Sequence, residues 1–175
     1  MGELGDRLDG LRVNVRAPNG EITAELTGRH ELRLAFEPGY YGRTSESELQ
    51  QQLTAVCRLL WVARTREVEA AVSDSGGWTV NPASAQAPAA RAYFQGLDAI
   101  EAHGASTDGS VEVDAKQGMR TWEVRVSPGT LRRCSEAEFV ARAAEAADSV
   151  VRDQLDKVRR LRIEVHRPEL LDNGA

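Results

Sequence analysis

The sequence predicts an α+β fold with two tandem repeats, each a three-stranded antiparallel sheet followed by a long amphipathic helix. Three observations predict it: the segment at residues 36–49 recurs at residues 126–139, apolar and polar residues alternate before each segment, and apolar residues recur every three or four positions after it. The two segments share Pro-Gly, an arginine, Ser-Glu and a further glutamate without a gap. The same ordered pattern twice in one chain indicates a duplicated folding unit.

The predicted strands precede each Pro-Gly. In the first repeat their apolar residues are Leu11, Val13 and Val15, then Ile22, Ala24 and Leu26, then Leu32, Leu34 and Phe36. In the second repeat they are Ile100, Ala102 and Gly104, then Val111 and Val113, then Trp122, Val124 and Val126. Asn19-Gly20 and Asp108-Gly109 predict tight turns between the first two strands of each repeat, because these residue types tolerate positive φ.

A long helix is predicted after each Pro-Gly. Thr44 or Ser45 caps the first helix, and with Ser45 as the cap Glu48 completes a capping box; Ser135 and Glu138 repeat it. The second helix continues to Pro168, which stops it. A helix of about thirty residues spans ~45 Å, which exceeds the length of a small sheet. Its far end therefore needs a partner surface.

The chain divides into four predicted segments. The first repeat covers residues 1–75, a linker covers 76–90, the second repeat covers 91–168, and a flexible tail covers 169–175. The linker is rich in Gly, Pro, Ala and Ser, a composition typical of loops. A short helix is predicted at residues 91–97, and Leu4, Leu8 and Leu11 indicate another before the first strand.

Composition narrows the function classes. The net charge is −5, which excludes a strongly basic nucleic-acid binder but leaves room for a local basic surface. Two cysteines form neither a disulfide framework nor a metal set, and the sequence has no membrane-spanning run and no signal peptide, so the expected location is the cytoplasm. Three scattered histidines, with no nucleotide-binding loop and no hydrolase motif, predict no catalytic residue, no metal and no cofactor. We expect a protein that is not an enzyme.

The repeat resembles the YbaB/EbfC family. The resemblance is carried by Trp-Glu-Val-Arg-Val-Ser-Pro-Gly-Thr-Leu at residues 122–131, by Ser-Glu-x-Glu-Phe at 135–139 with the Ala-rich helix after it, and by Leu-Arg-Leu-Ala-Phe-Glu-Pro-Gly-Tyr at 32–40. The chain is also similar to YbaB-like proteins of type VII secretion loci, the EspL and EspH types. The family implies homodimers that bind DNA as bacterial nucleoid-associated proteins. This chain carries two copies and lacks the long charged N-terminal helix of the family.

Tandem duplication predicts an intramolecular pseudo-dimer, because three strands are too few to bury both faces of a sheet alone. The residues expected at an interface between the repeats, or with a partner, are Tyr40, Tyr41, Leu60, Trp61, Trp122 and Val150. One of the two tyrosines is expected to pack under the turn, and the other to be exposed to a partner.

Positive charge concentrates at the end of the last helix, which makes this end the candidate DNA-binding surface. The candidate residues are Arg152, Lys157, Arg159, Arg160, Arg162 and Arg167. The alternative is an ordinary solvated helix end, where the helix dipole favours cations.

Two functions remain open: a DNA-binding, nucleoid-associated protein, and a protein-binding accessory factor or chaperone of type VII secretion. The resemblance and the basic helix favour the first. The acidic net charge, the duplication and the missing N-terminal helix favour the second. Further dimerisation remains open under both.

Overall fold

The computed structural model describes residues 10–28, 31–74 and 87–166. It contains two units with the same order of strands and helices. The first consists of β1 Arg12–Arg16, β2 Ile22–Thr27, β3 Glu31–Phe36, α1 Tyr40–Arg43 and α2 Glu46–Asp74. A connecting helix, α3 Pro88–Ala99, follows. The second consists of β4 Ala102–Ala105, β5 Val111–Lys116, β6 Thr121–Val126, α4 Thr130–Arg133 and α5 Glu136–His166. The predicted α+β class and the two tandem sheet–helix units are confirmed.

Each sheet is an antiparallel meander in chain order, β1-β2-β3 and β4-β5-β6. The predicted turns join the first two strands of each sheet, and both are closed in the same way by the side chain of the turn residue. The Asn19 Oδ1 accepts a hydrogen bond from the Glu21 N–H at 3.0 Å. The Asp108 Oδ1 accepts one from the Ser110 N–H, also at 3.0 Å. The two turns are therefore equivalent in the two repeats.

Both Pro-Gly steps lead into the same backbone geometry. Gly39 has φ 77° and Gly129 has φ 78°, values in the left-handed region that glycine adopts at little cost. A single helical turn follows each glycine, and the long helix begins three residues after that turn. Ser135 and Glu138 form a complete capping box, with reciprocal side-chain to backbone bonds of 2.7 and 3.3 Å. The single-turn helices α1 and α4 are the elements that the sequence pattern did not predict.

Two predicted boundaries are wrong near the start of the second unit. Ile100 lies before β4 and not in it, because its N–H bonds to the Leu97 carbonyl at 3.3 Å and closes α3. The short helix predicted at residues 91–97 extends over Pro88–Ala99. Proline at the first helical position explains the earlier start, since its missing N–H is not needed there. The predictions on Leu4, Leu8 and Pro168 lie outside the described residues.

The two units share one hydrophobic core. The helix α2 packs on β1 and β2 of its own sheet and also on β6 of the other sheet. The helix α5 packs on β4 and β5 and also on β3. Each long helix therefore covers apolar residues of both sheets, and neither unit buries its own core alone.

The far end of α5 has the partner surface that its length requires. The helix α3 packs against it, and Gly96 lies directly under the Leu161 side chain, which an added side chain would have to displace. The connecting segment thus returns to cover the end of the last helix. Among the described residues, no helix combines the length and the apolar character needed to cross a bilayer.

Candidate binding surfaces

A cluster of aromatic rings joins the two units beside the Pro-Gly turns. The Tyr41 ring lies 5.8 Å from the Phe36 ring and 5.6 Å from the Phe139 ring of the other unit. The Tyr41 hydroxyl donates a hydrogen bond to the Cys134 carbonyl at 3.0 Å. Burial of the hydroxyl and its contact with Cys134 raise the pKa of Tyr41. Tyr41 is therefore a buried link between the repeats.

The expectation that one tyrosine is exposed is wrong. Tyr40 is 3% exposed and Tyr41 is 9% exposed. The Tyr40 hydroxyl accepts a hydrogen bond from the Asn19 side-chain N–H at 3.1 Å, and its ring lies 6.1 Å from Phe36. These contacts of Tyr40 stay within the first unit. The single-turn helix α1 turns both rings inward, and this helix was not predicted.

The outer edge of β6 is covered by polar side chains of α2. The Val124 N–H donates to Thr54 Oγ1 at 3.0 Å, and the Val126 N–H donates to Gln50 Oε1 at 2.7 Å. The Gly129 N–H donates to Glu46 Oε1 at 3.0 Å. An exposed strand edge invites pairing with another chain, and these bonds satisfy the Val124 and Val126 donors within this chain.

The sequence analysis did not predict these edge contacts, although the sequence contains a pattern that indicates them. Gln50 and Thr54 are polar residues four positions apart on a helix whose neighbouring residues Leu49 and Leu53 are buried. The equivalent positions of α5, 90 residues later, are Val140 and Ala144, which carry no acceptor atom. The two repeats therefore differ in the residues that their long helices place at these positions, where α2 contacts the edge of β6.

An apolar cavity of about 390 Å³ lies where both sheets and both long helices meet. Its lining includes Leu26, Leu60, Trp61, Val113, Trp122 and Val150, so four of the six predicted interface residues lie on it. The Trp61 and Trp122 rings meet across the two units, with centroids 6.3 Å apart. The cavity is partly open to solvent.

One wall of the cavity is formed by the turn between β5 and β6. Met119 has φ 70°, an uncommon value for a residue with a side chain, and it is 1% exposed. The Trp122 indole N–H donates to the Met119 carbonyl at 2.6 Å and fixes this conformation. Cys57 also lines the cavity, and enclosure by protein raises the pKa of its thiol to about 12. The thiol is therefore neutral at physiological pH.

All described residues of the predicted cationic surface are exposed, and two of them form ion pairs with neighbouring carboxylates. The Lys157 ammonium donates to Asp153 at 2.7 Å and to the Glu101 carbonyl at 2.8 Å, which ties α5 to the start of β4. The Arg152 guanidinium pairs with Asp148 at 2.8 Å. These two cations have structural partners within their own unit.

The remaining described cations of this surface are Arg159, Arg160 and Arg162, and all three are exposed. They lie within one turn near the end of α5. Asp156 and Glu164 lie on the same stretch and are also exposed. Arg167 lies outside the described residues.

The outer face of the second sheet carries a charged network. The Asp114 carboxylate contacts His103 Nδ1 at 2.8 Å and also the Arg125 guanidinium, which in turn contacts Glu112 at 3.0 Å. Desolvation opposes ionisation of Asp114, but the hydrogen bonds from His103 and Arg125 outweigh it and lower its pKa. Each group faces a partner across neighbouring strands, an arrangement typical of an exposed sheet face. Within the described ranges, no group of three or more His, Cys, Asp or Glu residues could hold a metal ion.

Comparison with known proteins gave no match: no family model, no curated protein and no solved structure is similar to this chain at a significant level.

Proposed function

We propose that this chain is a non-enzymatic, YbaB/EbfC-like nucleoid-associated protein of the bacterial cytoplasm, built as an intramolecular pseudo-dimer that binds DNA. The pseudo-dimer is supported by the equal strand order of the two sheets and by the packing of each long helix on a strand of the opposite unit. The bond from Tyr41 to Cys134 and the contact between Trp61 and Trp122 cross the same boundary. These contacts between the two units support the proposed pseudo-dimer.

The exposed arginines near the end of α5 carry the DNA-binding proposal. Arg159, Arg160 and Arg162 extend from one helix turn, and guanidinium groups bind phosphate oxygens in a bidentate manner. Lys157 is less suited to this role because Asp153 and the Glu101 carbonyl already occupy two of its three donors. We therefore expect the three arginines to contribute most of the phosphate contacts.

A gel-shift titration at several salt concentrations tests this function. We expect the triple variant R159Q/R160Q/R162Q to bind duplex DNA more weakly and with a smaller salt dependence. Each lost phosphate contact reduces the slope of log K against log salt by about 0.9. The matched control is R33Q/R58Q/R66Q, which removes the same charge from three exposed arginines elsewhere. Equal DNA affinity and equal slope in both triple variants would contradict DNA binding by α5.

A second candidate is a protein-binding accessory factor of type VII secretion. It is favoured by Leu59 and Val62, which are 40% and 42% exposed and lie three positions apart on α2, and by the net charge of −5. Neither feature assists DNA binding. The test is co-purification with small WxG-type proteins encoded beside the gene, comparing the native chain with L59S/V62S. Retention of these proteins by the native chain and their loss from the variant would support this function over the first.

A further inference from the structure

The two long helices end with opposite charge. The basic end of α5 carries the exposed cations Lys157, Arg159, Arg160 and Arg162. The equivalent residues of α2, 90 positions earlier, are Glu67, Glu69, Ala70 and Val72. Arg66 is the one cation among residues 65–74, and carboxylates outnumber it there. The cations of α5 therefore have no counterpart at the same positions of the first repeat.

The cavity between the units shows that these helix positions are equivalent in space as well as in sequence. Four residues of α2 and the four residues 90 positions later on α5 line it: Cys57, Leu60, Trp61 and Arg64, and Ala147, Val150, Val151 and Gln154. Each long helix therefore passes the junction of the repeats at the same point. Residues 65–74 and 155–164 are the corresponding helix ends beyond that point.

The charge difference determines how each helix end responds to DNA. Duplex DNA carries one negative charge per about 1.7 Å of its axis, so it attracts a cluster of exposed arginines. The same charge repels exposed carboxylates, and Glu67 and Glu69 are both exposed near the end of α2. Only the end of α5 is therefore suited to phosphate contacts.

We propose that each chain binds one DNA duplex, through the end of α5 alone, and does not bridge two duplexes. This inference rests on the DNA-binding function proposed above. Two equal basic ends would give a pseudo-symmetric chain two DNA sites, but the first repeat carries acidic and apolar residues where the second carries cations. The chain therefore covers a duplex without linking it to another.

A bridging assay with the full chain tests the proposal. One duplex is attached to beads, and a second, fluorescent duplex of the same sequence is captured only when the protein holds both. We expect the native chain to bind the attached duplex and to capture no more of the second than beads without protein. Capture above this background would overturn the inference and leave DNA binding intact. Failure to bind the attached duplex would instead contradict the proposed function.

A charge graft onto α2 tests whether its acidic end is the reason. The variant E67K/E69R/A70R places the cations of α5 at the equivalent exposed positions of α2. The matched control E31K/E48R/Q51R makes the same change in net charge at exposed positions outside that end. We expect the graft to capture the second duplex and the control to stay at background. Equal capture by both variants would overturn the inference, and the native measurement decides the case if the graft does not fold.

Discussion

Replacement of Gly104 by alanine is expected to separate α5 from the second sheet. Gly104 lies in β4, and the helix backbone at Ala146 and Val150 passes directly over it. A Cβ atom at this position would lie 2.8 Å from the Val150 Cα, and closer still to the Val150 nitrogen and the Ala146 oxygen. Side-chain Cβ atoms essentially never approach other atoms within 3.0 Å. All three clashing atoms belong to the backbone, so no rotamer change relieves the clash and the helix itself must move.

The expected loss in the free energy of unfolding of G104A follows from the cost of adding atoms to a packed core. Insertion of an extra methyl group into a well-packed interior costs typically about 1–3 kcal/mol. We expect the upper end, about 3 kcal/mol or more, because the obstructing atoms are backbone atoms on a long helix. For a chain of this length, each kcal/mol lowers Tm by about 2–4 °C, so the variant should melt roughly 6–12 °C below the native protein.

Thermal and urea unfolding, followed by circular dichroism, measure this effect. The matched control is G42A, because a Cβ atom added at Gly42 would meet no other atom within 4 Å and the residue has a negative φ. G42A should change the free energy of unfolding by no more than about 1 kcal/mol. If G104A falls within about 0.5 kcal/mol of the native protein, as an ordinary surface substitution does, the close packing of α5 on β4 is wrong.

Two further predictions concern single side chains. Q50L should lower the free energy of unfolding by about 1–3 kcal/mol and accelerate hydrogen exchange at the Val126 amide, because that buried N–H loses its acceptor. The control Q51L, at an exposed position, should do neither. Equal exchange rates at Val126 in the two variants would count against the edge contact. Hydrogen bonds from Ser110 and Ser106 lower the pKa of Asp108 to about 2 from 3.8, so its carboxylate stabilises the fold above about pH 4, and this contribution is lost as the pH falls through 2. In urea unfolding from about pH 5 to pH 2, the stability advantage of the native protein over D108N should therefore shrink, and a pH-independent difference would refute the assignment.

Local sequence signals predicted the elements of this fold well. Strand alternation, the two turn dipeptides and the serine caps depend on neighbouring residues, and each was located within a few residues of its observed position. Because the two repeats align, a strand or helix that one repeat indicated weakly was supported by a clearer pattern at the matching position of the other repeat. The error at Ile100 arose because an apolar residue next to an alternating pattern resembles part of the strand, although it closes the preceding helix.

Contacts between the repeats could not be predicted in the same way. The inward direction of Tyr41 depends on a single helical turn that the periodicity of the sequence does not show. The approach of α5 to Gly104 and the pairing of Gln50 with a strand 76 residues away depend on how two sheets and two helices are arranged in space. The cavity is a consequence of that arrangement, and four of its lining residues were predicted as interface residues without the cavity itself.

Cleavage of the chain between its two units tests the central claim, which is that the repeats form one interlocked body. A protease site is inserted between Asp74 and Ala87, the full chain is folded and then cut, and the products are measured by size-exclusion chromatography with light scattering. We predict that the halves remain together as a one-to-one complex near 19.1 kDa, and that Y41F, which removes a bond between the units, weakens this complex more than Y40F. Separation of the cut protein into two stably folded monomers would contradict the account.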